Sequence, residues 1–181
     1  MASHSKGTFF NNDPVTQNII QWARERDDVR AALLTSTRAV PGGIIDSFSD
    51  YDIILIVKDI HPYFEDLSWL EDFGDVLVVY RDPIRLEKGF ERFAYITQYE
   101  DGIKIDFTLW AFEIMQQIVE AEELPEDLDV GYCLLLDKDQ LAARLRPPTY
   151  KAYIPDPPSK SEYAELVGFV RDNRVVPGSG G

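Results

Sequence analysis

An apolar stretch, Ala31 to Thr35, runs into Ser36-Thr37-Arg38, and about a dozen residues later Asp50-Tyr51-Asp52 leads the apolar run Ile53 to Val57. A third carboxylate, Asp106, stands inside another apolar run, Ile103 to Trp110. Alternate residues of a strand share a face, so Asp50 and Asp52 project together, and a paired strand would bring Asp106 beside them. Ionised aspartates next to apolar strands are costly unless cations or hydrogen bonds compensate them. With 2 histidines in the whole chain, the donors on offer are oxygens, which suit magnesium, a hard cation that bridges carboxylates and substrate phosphates.

That pattern points to phosphate chemistry. In a two-metal arrangement one ion activates the attacking oxygen and the other steadies a triphosphate and its leaving group. Asp50 and Asp52 could bridge both ions, and Asp106 could hold the activating one. Hydroxyls and backbone amides at Ser36 and Thr37 would hold phosphate oxygens, with Arg38 as a fixed cation nearby. A plainer reading exists for each feature. Roughly half a dozen acid-x-acid pairs are expected by chance at this acidity, Asp50 could be a solvated strand-end cap, and Ser36 and Thr37 could be turn residues. Solvation explains Asp50 far better than it explains Asp106.

The surrounding pattern supplies strands to carry these residues. Asp13-Pro14 gives a cap and first-turn signal for a helix over Pro14 to Arg26, with Val15, Ile19, Ile20, Trp22 and Ala23 on one face. A strand over Val29 to Thr35 and one from Asp50 flank the Pro41-Gly42-Gly43 loop. Pro62 to Phe73 has mostly helical spacing and leads to a β-prone run, Asp75 to Tyr80, as a helix crossing over to a third strand. Glu100-Asp101-Gly102 reads as a hairpin turn between Phe93 to Tyr99 and Ile103 to Trp110, placing Asp106 mid-strand near the sheet centre. Phe112 to Ala121 reads as a helix, Glu122 to Asp129 as an acidic connector, and Tyr132 to Leu136 as a short buried strand containing the single cysteine, Cys133. Asp137-Lys138-Asp139 caps a brief helix, and Pro147, Pro148, Pro155, Pro157 and Pro158 mark a linker. The expected division is a core over 14–146 and an extension over 147–181, holding a helix from Ser159 to Arg171 and a Gly-rich tail.

Composition sets the outer bounds. The 181 residues, 45% hydrophobic, can bury one core or one core plus an appendage. A formal charge of -14, from 18 basic and 32 acidic side chains, offers no basic stripe for a nucleic-acid backbone. The same charge favours a cationic small-molecule acceptor, while a polyanion such as ATP needs metal ions to screen it. Cys133 has no partner for an intrachain disulfide, and Met1 to Asp13 lacks the apolar core of a secretory signal, so a reducing cytoplasm is the expected compartment. No run is long enough to span a bilayer.

On these residues the chain resembles the nucleotidyltransferase superfamily, and most closely the aminoglycoside (streptomycin) 6-adenylyltransferase family. Leu34-Thr35-Ser36-Thr37-Arg38-Ala39 is similar to that family's Leu-Asn-Gly-Ser-Arg-Ala, and Asp50-Tyr51-Asp52-Ile53 to its Asp-Tyr-Asp-Ile. Asp66 to Gly74, Glu100 to Leu109, Leu136 to Asp139 and Pro147 to Thr149 resemble further segments in the same order. The resemblance implies a mixed sheet flanked by helices (an α+β or α/β class), a Mg-ATP substrate, and transfer of AMP to an aminoglycoside hydroxyl with release of pyrophosphate. It matches Asp50, Asp52 and Asp106 to the family's metal-binding carboxylates, Thr37 to the motif serine and Arg38 to the motif arginine.

Two departures stand out. Ser36 replaces the motif glycine, adding a side chain where backbone should approach the triphosphate and where positive φ is called for. The family's helical carboxy-terminal domain is represented only by its beginning, with Glu165, backed by Glu162, as the nearest candidate for a general base. A Glu-rich surface helix is the plainer reading of both. Two classes of function therefore stand: an active nucleotidyltransferase, on an aminoglycoside or another hydroxyl acceptor and completed by a second chain in a homodimer, or a catalytically impaired nucleotide-binding or interaction domain.

Overall fold

The computed structural model describes residues 13–46, 49–87 and 89–151. Helix α1 (Pro14–Arg24) starts where the sequence signals it, with the Asp13 side chain accepting from Thr16 N at 3.1 Å and proline in the first turn. Its apolar stripe, Ile19, Ile20, Trp22 and Ala23, is buried. Strand β1 (Val29–Thr35) passes directly into a 3₁₀ turn, Ser36–Ala39, and β2 (Tyr51–Val57) follows the loop. Both strands are almost continuously apolar because both are covered on two faces.

The expected helix over Pro62 to Phe73 is two pieces, α2 (His61–Glu65) and a 3₁₀ segment, Ser68–Phe73. Asp66 breaks it: its backbone is extended (φ -117°, ψ 117°) and its side chain accepts from Ser68 N at 2.9 Å, a local bond that competes with helix continuation. Tyr63, Trp69 and Phe73 still reach the core, where Trp69 packs edge-on to Tyr63 (5.5 Å between ring centroids) and against Phe107 (5.0 Å). Burying each such ring contributes on the order of 2 kcal/mol.

Strand β3 (Val76–Arg81) is followed by β4 (Arg85–Glu87), a strand that sequence reading missed. The expected hairpin forms between β5 (Phe90–Tyr99) and β6 (Lys104–Ala111). Helix α3 (Phe112–Glu120) follows at once, and the acidic connector contains one more helical turn, α4 (Glu126–Asp129). The last strand, β7 (Tyr132–Asp137), is an edge strand and mostly half-exposed rather than buried, so Cys133 is half-buried. Asp137 does cap the brief turn at Ala142–Arg144, accepting from Leu141 N at 3.1 Å and Ala143 N at 2.8 Å.

The strands form one mixed sheet of seven in the order β3-β5-β6-β2-β1-β7, with β4 on β5. Among the described residues β2 and β6 are the one parallel pair, at its centre. One face carries α1 and the aromatic cluster around Trp69. The other carries α3 over Ile54, Ile56 and Trp110. Past Arg146 the chain remains tied to the core, Thr149 donating its N–H (2.7 Å) and hydroxyl (2.6 Å) to the Asp129 carboxylate. The helix expected from Ser159, with Glu162 and Glu165, lies outside the described residues. Among the described residues no helix is long and apolar enough to cross a membrane.

Candidate functional site

Strand pairing decides which carboxylates meet. The β2–β6 register sets Asp52 directly opposite Asp106, and on its other side Asp52 faces Thr35 of β1. Alternation sends Tyr51, Ile53 and Leu55 into the α1-side core and leaves Asp52 with Ile54 and Ile56 on the α3 side. Asp106 and Thr108 share that face. A cavity of ≈ 310 Å³ opens there, lined by Thr35, Ser36, Asp52, Asp106 and Thr108, with Glu126 and Asp127 of α4 across from them.

Asp50 sits one residue before β2 and is drawn to the same site by a residue that sequence reading did not weigh. Lys104 Nζ lies 2.5 Å from Asp50 Oδ2 and 3.2 Å from Asp106 Oδ2. The three aspartates therefore form one cluster, with an ammonium between two of them. Lys104 is bonded to Asp50 and Asp106 but not to Asp52, whose carboxyl is lowered by the nearby Ser36 side chain. Burial, reinforced by the charges of Asp106 and Asp50, pushes its carboxyl up to about 6, against the lowering effect of Ser36 and Lys104. Burial also raises Asp106, and outweighs the ion pair with Lys104. Burial lowers Lys104, but its bonds to Asp50 and Asp106 more than compensate, so its ammonium is held above the ordinary lysine value.

Does this cluster suit a divalent cation? Among the described residues no three acidic, histidine or cysteine side chains already form a cage. The chemistry of the donors nevertheless fits: the ligands on offer are carboxylate oxygens, Asp106 Oδ1 is buried with no hydrogen-bond partner, and the mutual repulsion at Asp52 is of the kind a cation relieves. Lys104 holds the position of a positive charge between two of them.

The turn after β1 has the backbone anticipated for a glycine. Ser36 has φ 60°, a left-handed conformation that a side chain strains, and its N–H donates to Gly131 O at 3.1 Å. Thr37 follows on the 3₁₀ turn, half-buried. Arg38 is directed elsewhere. Its guanidinium stacks 3.7 Å over the Tyr51 ring, on the α1 side, and donates to Asp50 O (2.9 Å) and Ser49 O (2.8 Å). These bonds tie the turn to the start of β2 and fix the backbone that carries Asp50. A second cavity, ≈ 510 Å³, lies on this side, bounded by Leu34, Arg38, Val40, Tyr51 and Cys133.

Sequence reading missed Lys104, Glu126 and Asp127. Lys104 was detectable, since it precedes Asp106 by two residues and must share its face. Asp127 is bound by Arg92 at 2.6 Å, which leaves Glu126 as the acidic side chain on that wall with no ion pair among the described residues.

The sequence pattern of the streptomycin adenylyltransferase family matches residues 11–169. The chain is 28% identical to an aminoglycoside 6-adenylyltransferase of Staphylococcus aureus over 151 residues, covering 80% of this chain and 50% of that protein. It is 30% identical to one from Bacillus subtilis (strain 168) over 148 residues, again 80% of this chain and 50% of the relative. A crystal structure of an aminoglycoside 6-adenyltransferase from Bacillus subtilis superposes with a TM-score of 0.46 at 25% identity, over 59% of this chain and 37% of that one. The chain spans about half the length of the curated relatives it matches.

Proposed function

Since the chain belongs to the streptomycin adenylyltransferase family, we propose that it transfers AMP from Mg-ATP to a hydroxyl of a streptomycin-like aminoglycoside, releasing pyrophosphate. The observation that carries the reading is the register: Asp52 and Asp106 face each other on one sheet face, Asp50 joins them, and the Ser36 turn borders the same cavity.

In this reading the acceptor hydroxyl oxygen bonds to the α-phosphorus of ATP, the bond from that phosphorus to the bridging oxygen breaks, and pyrophosphate leaves with the electron pair. Asp50, Asp52 and Asp106 would hold Mg²⁺, which when bound draws charge from the phosphate oxygens and lowers the pKa of the attacking hydroxyl. The Ser36 and Thr37 turn would receive the triphosphate, and Arg38 serves from the opposite face by fixing the backbone of Asp50. Asp106 lies on the β5 side of Asp52, away from the phosphate turn, where the acceptor hydroxyl has to approach for in-line displacement. Glu126 supports a cationic acceptor, as does the formal charge of -14. The hydroxyl proton passes to a carboxylate, and Glu165 is the proposed general base.

One observation favours a second reading, an impaired nucleotide-binding domain: Ser36 keeps a left-handed backbone while carrying a side chain. Pyrophosphate release with ATP, Mg²⁺ and streptomycin, compared with the Asp50→Ala, Asp52→Ala double variant, separates the two. Equal release from both proteins would remove streptomycin adenylylation. Binding of a non-hydrolysable ATP analogue without turnover would support the impaired form.

A further inference from the structure

We propose that Lys104 is the resident counter-ion of the carboxylate cluster, and that a divalent cation entering the site displaces its ammonium. The inference rests on the reading of Asp50, Asp52 and Asp106 as metal ligands.

The argument starts from the strand. Lys104 opens β6 and lies two residues before Asp106, so the pleat places both side chains on the face of the cavity. Its Nζ bridges Asp50 Oδ2 at 2.5 Å and Asp106 Oδ2 at 3.2 Å, using one oxygen of each carboxylate. Asp106 Oδ1 is left buried and without a partner. An ammonium donates hydrogens to those oxygens, whereas a cation needs their lone pairs, so both cannot use the same oxygens at full strength. The lysine has an exit: its side chain is 30% exposed and sits on a flexible four-carbon stem at a strand end.

Two consequences follow. Without metal, Lys104 holds together carboxylates that would otherwise repel each other. With metal, it competes. The opposite arrangement, in which Lys104 stays and aims Asp106 at the ion, predicts the reverse effect of its removal.

Isothermal titration of Mn²⁺ into the wild-type chain, Lys104→Met and Lys104→Gln decides between them, with Asp52→Asn as control. We expect Mn²⁺ to bind about tenfold more tightly once the competing charge is gone. The metal-free melting temperature should fall in both variants, and the gain in melting temperature on adding Mn²⁺ should exceed that of wild type. Folding of either variant only when Mn²⁺ is present would support the same conclusion. Unchanged or weaker Mn²⁺ binding by both variants, with wild-type binding intact, would overturn the counter-ion role and leave the metal site standing. No Mn²⁺ binding by wild type or variants, or full binding retained in Asp52→Asn, would overturn the metal-ligand reading and the inference with it.

Discussion

Asp52 and Asp106 are direct partners across the parallel β2–β6 pairing, and the charge of Asp106 adds to the burial that opposes ionisation of Asp52. Replacing either by asparagine preserves shape and removes that repulsion. Asp52→Asn should raise metal-free stability at neutral pH by about 2 kcal/mol, and Asp106→Asn, which also gives up the ion pair with Lys104, by less. Each should lower pyrophosphate release at least about 100-fold. Urea unfolding in EDTA and a pyrophosphate assay check the two halves; loss of stability together with activity would indicate a merely structural role.

The Asp52 carboxyl sets a pH dependence with a definite sign. Its folded pKa of about 6 lies above its ordinary 3.8, so the folded chain holds this proton more tightly than the unfolded chain. The stabilisation from this proton is complete below about pH 4 and is lost as pH rises through about 6, a loss of about 2 kcal/mol after allowance for solvent screening. Asp139, whose pKa is lowered by its bond to Arg30, works in the opposite direction. The quantity to measure is therefore the stability difference between wild type and Asp52→Asn in EDTA from pH 4 to 8. It should move in favour of the variant as pH rises.

Ser36→Gly relieves the left-handed strain at φ 60° and clears the approach to the turn, but deletes the hydroxyl that lowers the Asp52 carboxyl. Relief of the strained backbone is worth about 1 kcal/mol of folding stability, and the affinity gain comes from removing the side chain at the approach. We expect roughly fivefold tighter binding of a non-hydrolysable ATP analogue. Calorimetry measures it, and unchanged or weaker binding would remove the steric account of this turn.

Arg38 should behave as a structural clamp. Arg38→Met loses two hydrogen bonds to carbonyls and a cation–π contact with Tyr51, costing about 2 kcal/mol. Arg38→Lys should recover little of it, because an ammonium cannot span two carbonyls while stacking on a ring. A variant that keeps its unfolding midpoint yet loses nucleotide affinity would mean that the guanidinium reaches the phosphate instead.

Much of this arrangement was legible in the residues. The alternation around Asp52 and Asp106, the apolar runs flanking them and the Glu100-Asp101-Gly102 turn suffice to place two carboxylates on one face of paired strands. Other parts were hidden for physical reasons. Tyr63, Phe64, Trp69, Leu70 and Phe73 keep helical spacing through a chain that Asp66 breaks, because a 3₁₀ segment can bury the same residues. α4 is one turn of Glu, Asp and Leu, too short for any periodicity, and its role at the cavity comes from tertiary placement. Arg38 reads as a phosphate ligand from its neighbours in sequence, whereas its guanidinium stacks on Tyr51 and bonds the Ser49 and Asp50 carbonyls, contacts that no local pattern encodes. Lys104 follows from the same alternation that places Asp106, but its pairing with Asp50 depends on the loop that brings the start of β2 beside the start of β6, a tertiary placement.

The parallel pairing at the sheet centre has a consequence for how this chain can vary. Two parallel strands start at the same edge, so residues near both beginnings meet there only while their counts agree. One residue inserted into β2 or β6 would turn a carboxylate to the other face and bury it among the aromatic rings around Trp69. The same insertion in the Glu100-Asp101-Gly102 turn, or between Pro41 and Asp46, leaves that count untouched. Length polymorphism compatible with the site should therefore be confined to the loops, while the two central strands act as a fixed ruler in which even a conservative indel is equivalent to losing an aspartate.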